Sequence, residues 1–174
     1  MACVISAGLT LDMCNSNNGG IQKIYIQNFD EGRTFTTGTG ASASYITAMS
    51  GTTASFYTYE LPKESSSITS TSTTDRIAGT TVVEQTAEFI IHSINSAILT
   101  QINILTKGIF RVMVLDSQGK YILIGKERGA VISAALASGK TYNEMAGGTL
   151  TVTAREPDNF YEVSPALAST WIQA

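Results

Sequence analysis

At 174 residues the chain is long enough for one domain, and only 14% of it is charged, against about 25% in an average soluble protein. A net charge of −3 excludes a dedicated nucleic-acid binder, which carries a basic patch, and no apolar run approaches the ~18 residues of a membrane helix. The missing charge is replaced by 18 Ser and 23 Thr, a composition suited to outer faces that meet other protein.

The N-terminus, MACVISAGLTLDMC, has a short apolar stretch with no Lys or Arg before it, so no secretory signal is expected. Residues 17–20 (NNGG) form a turn, because Asn and Gly accept positive φ. Residues 21–29 (IQKIYIQNF) alternate as a strand, Ile24 and Ile26 against Lys23, Tyr25 and Gln27. Residues 32–51 are mostly Gly, Thr, Ser and Ala, and read as short strands joined by a mobile loop. Residues 55–61 (SFYTYEL) alternate again until Pro62, which fits an edge or a bend.

The stretch 63–74 (KESSSITSTSTT) is almost wholly polar, so both faces of a strand there would be wet. Residues 80–91 (TTVVEQTAEFII) separate cleanly, with Val83, Ala87, Phe89 and Ile91 on one face and Glu84, Thr86 and Glu88 on the other. With a turn at 75–79, the segments 55–74 and 80–91 read as one long antiparallel ribbon that a single subunit buries only in part. One helix is expected from the apolar stripe Ile91, Ile94, Ile98, Ile102 and Leu105, with Ser93 as its N-cap and Lys107 and Gly108 as its stop. The run 109–115 (IFRVMVL), a turn at 116–119 and 120–125 (KYILIG) form a core hairpin. Residues 130–138 fit either strand or helix. Residues 147–155 (GGTLTVTAR) are a last strand with one hydroxyl face, Thr149, Thr151 and Thr153, and from Pro157 a C-terminal arm runs over 157–174. The sum is an α+β, mainly β single domain over 1–174, a sandwich or barrel with one flanking helix.

No constellation for chemistry emerges, and the chain does not read as an enzyme. There is no Gly-x-Ser-x-Gly, and His92, the single histidine, has no acid at a suggestive spacing. Cys3 and Cys14 are too few for a disulfide framework, and with one His they cannot complete a four-ligand zinc site without carboxylates. They read as reduced thiols. Glu84 and Glu88 would need burial to act as an acid–base pair. Residues 139–141 (GKT) end like a phosphate loop, but Ala134 stands where its first Gly belongs. Asp12, Asn15, Asn17 and Asp30 lack calcium-loop spacing. No metal or other cofactor is expected.

Four stretches together resemble a family: CNSNNGGIQKIYIQNF from Cys14, YELPKESSSIT from Tyr59, GKYILIGKERGA from Gly119 and GGTLTVTAREP from Gly147. In that order they are similar to the tail tube proteins of tailed phages that infect Bacteroides-type bacteria. The resemblance covers about a third of the chain; the Thr-rich 65–74 departs from it. It implies a β-sandwich of the tail tube type, six copies in a ring, and rings stacked into a hollow virion tail that is assembled in the bacterial cytoplasm. It implies further partners, a tail terminator, a tape measure and baseplate components, with DNA as non-specific transit cargo and no membrane. On this reading Glu84, Thr86, Glu88, Ser65, Ser67, Thr69 and Thr71 face the lumen, while Thr36, Thr37, Gly38, Thr39 and Gly40 contact the next ring. Two rivals stand beside it. One is another ring protein, a head-to-tail connector, tail terminator or capsid decoration protein. The other is a monomeric ligand-binding β-sandwich that uses Phe56, Tyr57 and Tyr59 as a stacking platform.

Overall fold

Residues 19–51, 55–62, 65–141 and 143–173 are described by the computed structural model, and Cys3, Cys14, Asp12, Asn15, Asn17, Lys63 and Glu64 lie outside them. Two antiparallel strands, β1 (Ile21–Asn28) and β7 (Phe110–Asp116), form the centre of the fold. Ile24, Ile26, Phe110, Val112 and Val114 point into one core, and Tyr25 and Met113, at intervening positions, point into a second. A strand buried on both faces is written as a continuous apolar run, which is how 109–115 reads. The hairpin partner β8 (Tyr121–Ile124) follows a tight turn in which the Gly119 N–H donates to the Asp116 carbonyl at 3.0 Å, with Gly119 at φ +80°.

The first core is closed by β6 (Thr80–His92), β9 (Ala130–Ala137), β10 (Gly147–Glu156) and the helix α1 (Ser96–Leu105). Fully burying a side chain such as Phe89 or Leu150 there stabilises the fold by roughly 1.5–3 kcal/mol. The second core is closed by β3 (Tyr45–Ser50), β4 (Phe56–Glu60), β11 (Tyr161–Val163) and a second helix, α2 (Pro165–Trp171). Trp171 stacks on Phe56 with ring centroids 6.2 Å apart and meets Phe35 edge-on at 6.3 Å, which fastens the C-terminal arm to the body. The short β12 (Ile172–Gln173) then pairs with β4. The sheet runs from β2 (Thr34–Thr37) at one edge, through β3, β11, β8, β7, β9, β10 and β6, to β5 (Ser67–Asp75) at the other, with β1 and β4 branching from β7.

The fold is therefore mainly β with two short helices, and several segments depart from the sequence reading. Residues 32–51 do hold short strands, paired as the hairpin β2–β3, but the link between them is a 3-10 turn at Gly40–Ser42, and fully buried Ile46 holds the hairpin. The stretch 55–74 is two strands, because Pro62 interrupts it: β4 pairs with β1, and only β5 pairs with β6. Of residues 130–138, whose sequence fits either strand or helix, 130–137 are strand β9. The helix begins later than its apolar spacing suggests. Ile91 stays in β6, whose ladder with β10 runs on to His92↔Gly147, and Ser93 turns the chain at φ 77°. Asn95 is the N-cap instead of Ser93, its Oδ1 accepting the Ile98 N–H at 2.8 Å. Of the expected stripe, Ile102 and Leu105 are buried, Ile91 and Ile98 are half-buried against the same core, and Ile94 is exposed before the first turn. Gly108 does not adopt positive φ; it is small where a Cβ would run into the Phe110 ring.

Candidate assembly surface

The β5–β6 ribbon carries most of the residues singled out for the lumen. Its register pairs Ser67 with Glu88, Thr69 with Thr86 and Thr71 with Glu84, so these six share one face. On the other side of β6, Thr151, Thr153 and Arg155 of β10 stand opposite Glu88, Thr86 and Glu84, and Ser133 of β9 stands opposite Thr151. The result is a four-stranded outer face of hydroxyls, two carboxylates and one guanidinium, interrupted by the exposed Val131 opposite Thr153 and Val82 opposite Thr73. Arg155 Nε lies 3.7 Å from Glu84 Oε1, an exposed pair worth at most about 1 kcal/mol. The inner face has Ile68, Ala87, Val152 and Ile132 in one apolar row and also carries the buried Gln85 and Glu156. Ser65 does not belong to this surface: it precedes β5, is half-buried, and donates its hydroxyl to the Pro62 carbonyl at 2.8 Å.

Beyond Ser70 the ribbon leaves the body of the protein. Residues 71–75 of β5 and 80–82 of β6 are exposed on both faces, which the all-polar sequence tolerates and an apolar strand would not. Asp75 closes the tip, its Oδ1 accepting the Ile77 N–H at 2.8 Å and the Ala78 N–H at 3.1 Å. At the ribbon's other end, a groove of about 670 Å³ opens between α1 and the ends of β4 and β6, walled by Tyr59, Leu61, Pro62, Phe89, Ile91 and Ile98. Of the α1 side chains only Ile102 and Leu105 are buried, and Ile98, in the first turn, is half-buried at the groove.

Thr36 and Thr37 lie on β2, and Gly38, Thr39 and Gly40 lead into the 3-10 turn, at the edge of the sheet opposite β5. The three aromatics of β4 do not form one platform. Phe56 is fully buried in the second core, while Tyr59 packs on the first and Tyr57 is exposed.

A buried polar cluster is present that sequence patterning does not reveal. Gln85, Arg111 and Glu156 are all buried, and all three hold the turn between β8 and β9. Gln85 Oε1 accepts the Gly125 N–H at 3.3 Å, Arg111 Nε donates to the Lys126 carbonyl at 3.1 Å, and Glu156 accepts the N–H groups of Glu127 and Arg128 at 3.1 and 2.9 Å. Their partners are backbone groups, so the arrangement positions a loop and presents no reactive atom to solvent. Burial raises the Glu156 pKa above the ordinary carboxylate value, against the lowering effect of the two backbone donors. The folded state thus binds this proton more tightly than the unfolded chain does. The corresponding stability is fully present below the unfolded value near 4.3 and is lost as pH rises through the folded one. Glu156→Gln is therefore expected to gain stability relative to the parent as pH rises from about 4 to 7, measured by urea unfolding at each pH; two curves that stay parallel would refute the assignment.

Among the described residues no group of three or more His, Cys, Asp or Glu side chains could hold a metal ion, and no helix is long and apolar enough to cross a membrane. Compared with protein-family models, with curated proteins and with solved structures, the chain matches none.

Proposed function

We propose that this protein is a structural subunit that polymerises with copies of itself, a tail tube protein of a tailed phage. In this reading six copies form a ring, rings stack into the hollow virion tail, and DNA is delivered through the channel. One observation carries it: among the described residues no strand pairs with the outer edge of β5, nine residues, SITSTSTTD, with neither Lys nor Pro. Natural edges are kept short, bulged, charged or covered, because a regular row of unpaired N–H and C=O groups invites another strand. An edge this long and plain is what strand addition from a neighbouring copy needs.

Adding a strand of a neighbouring copy to β5 would carry the hydroxyl face across the junction from copy to copy. Ser67, Thr69, Thr71, Glu84, Thr86 and Glu88 then line the channel. A transported duplex finds few cations there to hold its phosphates, since Arg155 sits beside Glu84. The β2–β3 hairpin, at the opposite edge, is the proposed contact between stacked rings, and the terminator, tape measure and baseplate components are the proposed further partners.

Two alternatives are separated by the same experiment. A connector, terminator or decoration protein would close one ring and stop. A ligand-binding module would use the α1 groove, whose volume lies within the ~300–1,000 Å³ of small-molecule sites, and would stay monomeric. Light scattering on the purified protein distinguishes them: masses at multiples of six subunits that grow with concentration support the tube, and a monomer at every concentration contradicts it. Replacing both lumen carboxylates, Glu84→Lys with Glu88→Lys, reverses the sign of the wall. That variant is expected to form tubes of normal appearance but to lower DNA delivery by an order of magnitude or more; unimpaired delivery would remove these residues from the lumen.

A further inference from the structure

We propose that the tip of the β5–β6 hairpin of one copy seats Ile77 in the apolar groove beside α1 of another copy. The proposal rests on the self-assembly reading and names the contact that drives it. Ile77 is 101% exposed, the most exposed large apolar side chain among the described residues, and Val82, farther down the ribbon, is also exposed. Its backbone is not loose. The two N–H bonds to Asp75 Oδ1 and the left-handed Gly79, at φ +65°, fix the turn, so docking costs little additional order. An isoleucine held outward on an ordered turn is a knob.

The groove supplies the hole. Three elements meet there without filling the space between them, and its walls are aromatic and aliphatic. Among the described residues of its lining the only formal charge is Glu60, whose carboxylate is 83% exposed and 3.9 Å from Lys23. The tip brings the opposite sign, since Arg76 precedes Ile77 while the Asp75 carboxylate is occupied by its own turn. Arg76 would meet Glu60 at the rim as Ile77 enters.

Knob and hole stand at opposite ends of one strand. The tip immediately precedes Thr80, the first residue of β6, and the groove is lined by Phe89, Ile90, Ile91 and His92, its last four. Thirteen residues at about 3.3 Å each place them roughly 40 Å apart. A subunit cannot fill its own groove across that distance. Two different surfaces at opposite ends make a head-to-tail contact, which repeats from copy to copy until a ring closes or a filament grows.

The test places the photo-crosslinking residue p-benzoylphenylalanine at position 77 of the full chain, mixes isotopically light and heavy protein, irradiates the assemblies and maps the products by mass spectrometry. Products joining position 77 to residues 59–62 or 97–102 of a different copy are expected. In parallel, Ile77→Asp, a change at a fully exposed position, should raise the concentration needed for half-assembly at least tenfold. Assemblies in which position 77 joins elsewhere, or in which Ile77→Asp assembles like the parent, overturn this contact and leave self-assembly standing. The same probe at position 97 covers the rival occupant. If it joins residues 1–18 of its own chain, the groove belongs to the N-terminal segment, and the proposal falls. A parent protein that never assembles removes the self-assembly reading and this contact with it.

Discussion

Arg111→Ala is expected to lower the stability of the subunit by about 2–5 kcal/mol, a large fraction of what holds a domain of this size folded. Arg111 is 2% exposed on the central strand β7. Its Nη1 donates to the Asp30 carbonyl at 2.8 Å and its Nε to the Lys126 carbonyl at 3.1 Å, tying together the loops that follow β1 and β8. The guanidinium lies over the Phe29 ring at 4.2 Å and within 5.2 Å of the Phe35 ring. Burial, and after it the neighbouring Arg33, lower its pKa to about 10, so it remains charged at neutral pH and must be held by those contacts. Alanine takes a donor from both carbonyls, of which Asp30 keeps the Arg33 N–H at 3.3 Å, and leaves a cavity beside two aromatic rings. Arg111→Met separates the causes, because it keeps much of the volume but donates nothing; about 1–3 kcal/mol of loss is expected from the missing hydrogen bonds alone. Urea unfolding measures all three proteins. An alanine variant within about 1 kcal/mol of the parent, the range of an ordinary exposed pair, would show that the cation is incidental.

The second expected result concerns assembly. Of the two variants Thr71→Pro and Ser72→Pro, one is expected to stay folded and remain unassembled at concentrations where the parent polymerises. Successive residues of a strand send their N–H and C=O groups to opposite sides. One of these neighbours therefore faces β6 and the other faces the open edge. Proline removes one N–H, and its ring blocks the approach of another strand. At the inward position it breaks a bond of the β5–β6 ladder; at the outward position it leaves that ladder alone and spoils only the edge. Both positions lie on the exposed part of the ribbon, so the cores are untouched. Circular dichroism checks the fold and sedimentation checks assembly. If both variants assemble like the parent, β5 is not the joining edge.

The parts of this fold that are legible in the sequence are those in which one residue's surroundings are set by its neighbours along the chain. The alternation of β6, the apolar hairpin β7–β8 and the Thr face of β10 follow from period-two patterning. The start of α1 is not legible in the same way. Ile91 and Ile94 keep the helical spacing, but pairing with β10 holds Ile91 in a strand, and Asn95 competes successfully with Ser93 for the exposed helix N–H groups. Helix α2 escapes the pattern because it is short, although Ser164 followed by Pro165 is a helix-start signal. The polar cluster of Gln85, Arg111 and Glu156 has no sequence signature at all. Its partners are backbone atoms 15 to 81 residues away, which no local pattern encodes. The groove beside α1 is likewise hidden, since its walls come from α1 and the ends of β4 and β6 together. The ribbon itself is legible in its wet faces and its register, but Pro62 shortens it and takes Ser65 out of it.

Polymerisation into a hollow tube is the central claim, and electron microscopy of the purified protein tests it most directly. The account predicts stacked six-membered rings around an open channel, with the β5–β6 ribbons forming the inner wall. Particles that remain featureless monomers at high concentration, or rings whose channel is lined by other strands, would contradict it.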